Sequence, residues 1–247
     1  MTYGICNLSM VALRREPGHQ SEMINQVLYG ESFEILEQQK SWSLVKLLTD
    51  LFEGWIDNNQ FLAVTADQCG RDQELILSAD MMEFVSDQKE QLIPIPIGST
   101  LNTLPGIKHR FQGRHTSGKK EKSHLLGSAY LYLNAPYLKG GRSPFGIDAD
   151  GLTQMVYRLN GYDLPRMAQQ QAQHGDSLSF IEEAEAGDLA FFDNEDGEIN
   201  HVGILMDDNH ILHAWGKVRI DRLDHLGIYN PETRRHTHKL RLIKRIF

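Results

Sequence analysis

The chain has 247 residues, 40% of them hydrophobic, and a formal net charge of −8. That is enough apolar material for more than one packed core, so two or three domains are expected. An acidic chain lacks the positive field needed to hold a phosphate backbone, which excludes nucleic acid as an expected partner. No run of about 18 apolar residues occurs, so no membrane span is expected. The opening Met1-Thr-Tyr-Gly-Ile-Cys lacks the basic and apolar regions of a signal peptide. The sequence as it stands therefore implies a cytoplasmic protein, or a periplasmic or extracellular one if a signal peptide has been removed. Cys6 and Cys69 are too few for a disulfide framework, have no metal-ligand spacing and read as small hydrophobes.

In chain order, Val11–Arg14, Ser32–Glu37, Trp42–Leu47 and Gly54–Asp57 read as short strands separated by turn-rich segments, the spacing of a small β-barrel. A second β-rich stretch follows at Glu74–Leu77, Glu90–Gly98 and Leu101–Pro105, with Pro94 and Pro96 favouring an edge strand or a linker. The basic run from Lys108 to His124 contains Glu121 and one aromatic, Phe111, and is expected to be a solvated hairpin tip. From Ser123 the pattern turns helical through Leu125, Leu126, Ala129, Tyr130 and Leu133. A second helix is expected at Gly151–Gly161, with Asp148 and Asp150 at its start and Gly161 just past its end. Strands at Asp188–Phe192, His201–Met206 and His210–Trp215 complete an antiparallel meander, making this last domain α+β. His109, His115, His124, His174, His225, His236 and His238 lie in polar stretches and read as surface imidazoles.

Thiol peptidases need a thiol at a helix N-terminus, an imidazole base and a third polar group that orients the base. Tyr137-Leu-Lys-Gly-Gly-Arg-Ser-Pro-Phe-Gly-Ile-Asp-Ala-Asp-Gly-Leu-Thr-Gln resembles the nucleophile segment of the NlpC/P60 cysteine peptidases. Ala186-Gly-Asp-Leu-Ala-Phe-Phe with His201-Val-Gly-Ile, and Ile211-Leu-His213-Ala, resemble the strands that carry that family's base and orienting group. With Val218–Leu223 and the β-rich N-terminal half, the resemblance narrows to the branch with bacterial SH3-like domains, the γ-D-glutamyl-L-diamino-acid endopeptidases. It implies two small SH3-like β-barrels, residues 1–68 and 69–120, before a papain-like α+β domain at 121–247.

The resemblance further implies that His201 is the base and His213 its orienting group, and that no cofactor or metal is required. Asp148 matches the acid that holds a substrate amine, with Tyr29 and Glu22 as candidate partners from the first barrel, and the implied ligand is a peptidoglycan stem peptide. The chain departs from the family where it matters. Ala149 stands at the nucleophile position, Asp150 replaces a small serine, Lys139 replaces a tryptophan, and Met167 beside Arg166 stands where an acidic substrate-binding residue is expected. A methyl group has no lone pair to attack a carbonyl, so the chain is expected to be inactive as written. Four readings follow: a pseudoenzyme that binds stem-peptide-like or other amine-bearing ligands, an active peptidase disabled by an engineered Cys-to-Ala change, a protein-interaction scaffold, and a divalent-metal set of Asp148, Asp150, His201 and His213.

Overall fold

The computed structural model describes residues 2–70 and 73–247, and the chain divides into two compact units. One contains the chain through Lys119 together with Lys139–Pro144, and the other contains Lys120–Leu138 and Phe145–Phe247.

In the first unit, β1 (Thr2–Ile5), β2 (Met10–Arg14), β3 (Met23–Leu28), β4 (Ser32–Gln38), β5 (Trp42–Leu47), β6 (Glu53–Asp57) and β7 (Leu62–Val64) form one antiparallel sheet in the order β3-β2-β6-β5-β4-β1-β7. Burial alternates along β2 and β5, the period-2 signature of strands with one face in a core. That face delivers Val11, Leu13, Val27, Phe33, Val45, Leu47 and Ile56 to a cluster that also takes in Cys6. Burial pushes the Cys6 thiol up to about 12, so it is an inert core residue and no substitute nucleophile.

The second β-rich stretch forms β8 (Ile76–Ser78), β9 (Met82–Ser86), β10 (Leu92–Pro96), β11 (Arg110–Phe111) and β12 (His115–Ser117). They make two small sheets, β10-β9-β11 and β12-β8, so the proline-bearing β10 is an edge strand. Two expectations fail here. Leu101–Pro105 is not a strand but leads into the short helix α1 (Leu104–Ile107), because Pro105 suits a first helical turn and has no N–H for a ladder. The basic run is not a hairpin, since β11 and β12 pair with β9 and β8 and not with each other, and Arg114 is tied to Asp80. Val85, Ile95, Leu101 and Ile107 pack with Ile5 and Tyr29 in a second apolar cluster.

The other unit holds α2 (Leu125–Tyr130), α3 (Ala149–Leu159) and α4 (Ala168–Gln171). Its sheet is larger than the expected three-strand meander. Strands β13 (Asp176–Leu178), β14 (Leu189–Asp193), β15 (Ile199–Met206), β16 (His210–Trp215), β17 (Lys217–Asp224), β18 (Gly227–Asn230) and β19 (Arg235–Arg245) run in the order β13-β19-β14-β15-β16-β17-β18. β18 also pairs with β19, so the ladder closes on itself. Asp148 caps α3 and Gly161, at φ +81°, follows its end, as their positions in the sequence imply. α3 packs on β15 and β16, placing its N-terminus beside the strands that carry the histidines. Among the described residues no helix is long and apolar enough to cross a membrane.

Candidate active site

Ala149 is the first residue of α3 and is buried, where the unpaired N–H groups of a helix start would favour negative charge on a side chain. His201 lies on β15 and His213 on β16, two antiparallel neighbours in which Gly203 sits opposite His213. Glycine is needed at 203: a Cβ there would lie 2.7 Å from Ile211 Cδ1 and 3.0 Å from His213 Cβ, displacing the second imidazole.

Nε2 of His201 is 2.9 Å from Nδ1 of His213, and Nε2 of His213 is 3.0 Å from Oδ2 of Asp221 on β17. Arg219 donates to both Asp221 oxygens, at 2.7 and 2.9 Å. Burial alone would raise the Asp221 carboxyl, but the hydrogen bonds and charges of His213 and Arg219 outweigh it and hold it below the usual carboxylate range. These contacts assign the protons. An ionised carboxylate only accepts, so His213 donates through Nε2 and presents a lone pair at Nδ1. His201 then donates to it from Nε2, leaving the His201 lone pair at Nδ1. The result is a neutral base whose orientation and tautomer are fixed by a second imidazole and a carboxylate, the arrangement that general-base chemistry requires.

Burial drives the imidazoles away from the charged form. His201 is held well below its ordinary value by burial and then by the neighbouring His238 and His213. His213 is lowered by burial against the pull of Asp221. His238 on β19 stacks on His201 with ring centroids 4.1 Å apart, meets Trp215 edge-on at 4.7 Å, and is lowered by burial to about 4.

The acids near the start of α3 are engaged. Asp148 accepts from Gly151 N–H at 2.7 Å and pairs with Arg166 at 2.7 Å. Asp150 accepts the N–H of Ala168, the first residue of α4, at 2.8 Å. Burial and then the Asp148 charge raise Asp150 to about 6. The exposed Met167 occupies the N-cap of α4 and supplies no capping bond, so Asp150 caps that helix from α3. Asp150 and Met167 are thus structurally linked. Gln171 strengthens the link, donating to the carbonyls of Asp150 and Pro165 and accepting from Thr153.

The structure brings His201 and His213 together, and Asp148 with Arg166, and corrects the composition of the candidate metal set. Tyr29 is fully buried in the first unit with its hydroxyl 2.7 Å from His109 Nδ1. Glu22 is already neutralised by Lys139 at 2.5 Å and Arg15 at 2.9 Å, contacts that hold its carboxyl below the usual range. The set of histidines and acids with metal-ligand geometry among the described residues is His201, His213 and His238, without Asp148 or Asp150. Sequence reasoning missed Asp221, Arg219, Trp215 and His238. Asp221 was the most accessible of these, since Arg219 and Asp221 share one face of a strand by simple alternation.

Residues 134–237 match the NlpC/P60 family, and residues 13–61 match the bacterial dipeptidyl-peptidase Sh3 domain. The chain is 37% identical over 211 residues to a gamma-D-glutamyl-L-lysine dipeptidyl-peptidase of Bacillus subtilis (strain 168), covering 76% of this chain and 71% of the relative. It is 25% identical over 249 residues to dipeptidyl-peptidase 6 of Lysinibacillus sphaericus, covering 87% and 89% of the two chains. In fold it is similar to an NlpC/P60 family protein from Bacillus cereus ATCC 10987, with a TM-score of 0.82 over 99% of each chain at 15% identity. This chain therefore belongs to the NlpC/P60 family and carries a bacterial SH3 domain ahead of its peptidase-like domain.

Proposed function

We propose that this protein is a non-cleaving relative of the γ-D-glutamyl-L-diamino-acid peptidases that binds stem-peptide-like or other amine-bearing ligands. The observation that carries the reading is the intact relay His201–His213–Asp221 in a unit whose α3 begins with alanine. A base held in one tautomer has no proton to take from a methyl group, so acyl transfer through position 149 is closed while the surrounding polar frame persists. The capping of α4 by Asp150 in place of its own N-cap residue Met167 favours a natural origin for Ala149, because replacing one cysteine to trap a substrate would not involve a second helix cap. In this reading Asp148 offers its carboxylate to a ligand amine, with Arg166 fixing its position, and residues 69–120 form a divergent second SH3-like module.

The test is calorimetric titration with L-Ala-γ-D-Glu-diamino-acid peptides whose alanine amine is free or acetylated. Binding that requires the free amine and is lost in Asp148→Ala supports the proposal, and absence of heat with either peptide sinks it. The intact relay also favours a second reading, an active peptidase disabled at one position. Ala149→Cys would then hydrolyse the free-amine peptide, since a thiol there regains a lone pair for attack and His201 is neutral and ready to accept its proton.

A further inference from the structure

We infer that His201, His213 and His238 form a binding site for a divalent transition metal of the zinc class. Each offers a ring nitrogen, and the three ligand atoms lie within 4.8 Å of one another. Two of the three lone pairs are assigned by neighbouring groups. His213 donates from Nε2 to Asp221 and therefore presents Nδ1. Thr237 Oγ1 lies 2.8 Å from Nδ1 of His238 and donates its own proton to the Ile228 carbonyl, so it accepts from Nδ1 and leaves Nε2 of His238 as the lone pair. His201 supplies Nε2 once the proton that it gives to His213 in the metal-free relay moves to its own Nδ1, which frees both nitrogens of the pair. A carboxylate behind one ligand and a hydroxyl behind another are the outer partners that orient metal-binding imidazoles.

Tetrahedral zinc with Zn–N bonds of about 2.0–2.1 Å places its ligand nitrogens roughly 3.3 Å apart. The His201–His213 pair, at 2.9 Å, needs a slight opening, and since no two of the three ligand atoms are more than 4.8 Å apart, a closing shift of at most about 1.5 Å completes the set. Three imidazoles suit zinc, copper, cobalt or nickel and not calcium or magnesium, which take oxygen ligands. Three protein nitrogens would leave the fourth tetrahedral position to water.

Zinc alone is the probe, so the outcome does not depend on peptide binding. The full chain, stripped with a chelator, is titrated with Zn²⁺ by calorimetry and with Co²⁺ by visible absorption. One equivalent of zinc should bind, with cobalt d–d bands and no response to Mg²⁺. His238→Gln and His213→Gln should each weaken binding at least tenfold, while His236→Gln, on the exposed Asp224 pair, leaves it unchanged. No saturable zinc or cobalt signal, or wild-type affinity in His238→Gln, overturns the site. If the fully buried His213→Gln does not fold, the partly exposed His238→Gln decides alone.

Discussion

His213 stands between two partners of opposite demand: its Nδ1 receives the His201 proton at 2.9 Å and its Nε2 gives one to Asp221 at 3.0 Å. Asp221 accepts three donors on two oxygens, two from Arg219 and one from His213. Asparagine has one acceptor and one NH₂, so Asp221→Asn forces either His213 or Arg219 to face a donor. We expect the variant to lose the single tautomer order of the relay, read as altered ¹⁵N shifts of both imidazoles. In an Ala149→Cys background, any restored hydrolysis should fall by up to roughly 10⁴-fold. Unchanged nitrogen shifts would refute the proton assignment.

The imidazole cluster makes stability sensitive to acid. The folded-state value of His238, about 4, lies below the ordinary 6.5, so the unfolded chain binds its proton first as pH falls. Its contribution is therefore complete above pH 6.5 and is lost on acidification towards pH 4. His201 and His213 shift in the same direction and face the same ring, with Asp221 as the opposing charge. The melting temperature should drop more between pH 7 and 4.5 in the wild type than in His238→Gln. Parallel curves would mean that His238 titrates as it does in the unfolded chain.

Asp150 works in the opposite sense. Its value is raised from 3.8 to about 6, so the folded state holds the proton over a range where the unfolded chain has released it. That contribution is present below pH 3.8 and disappears as pH rises through about 6. Asp150→Asn keeps an acceptor for the Ala168 N–H without the charge. It should raise the melting temperature at pH 7.5 and lose that advantage by pH 4. A lower melting temperature at pH 7.5 would show that the ionised form is the better cap.

The two histidines of the relay were legible because they sit on apolar strands whose alternation is plain, and the start of α3 because an acid, a helical run and a closing glycine bracket it. β19 was not legible. Its first half, residues 235–239, holds basic, threonine and histidine residues with little burial, so the inward position of His238 leaves no hydrophobic trace, and the edges that the strand joins are defined only in the folded sheet. The burial of Tyr29 has a cause that only the folded chain defines. Gly30 allows so close an approach to the Thr100 carbonyl, where a Cβ would sit 1.8 Å away, that the neighbouring tyrosine is packed inside.

Arg142 gives the last test, because the segment first read as part of the nucleophile signature belongs by its contacts to the first unit. Its guanidinium meets the Glu31 carboxylate through two bonds of 2.9 Å, with both side chains fully buried. Arg142 also donates to the Gln26 carbonyl, and Leu28 N–H donates to Glu31. Gly140 makes the approach possible: at φ +78° a Cβ would lie 2.7 Å from the Met23 carbonyl oxygen. Removing one charge strands the other without solvent, so Glu31→Gln should lower the unfolding free energy of this unit by about 3–5 kcal/mol. Replacing both residues with methionine should cost less than the sum of the single changes, since no charge is then left buried. Trp42 and Trp55 lie in this unit and Trp215 in the other, so urea unfolding in a Trp215→Phe background reports the first unit alone. A loss below about 1 kcal/mol for Glu31→Gln, the range of an exposed pair, would mean that water reaches the pair in solution.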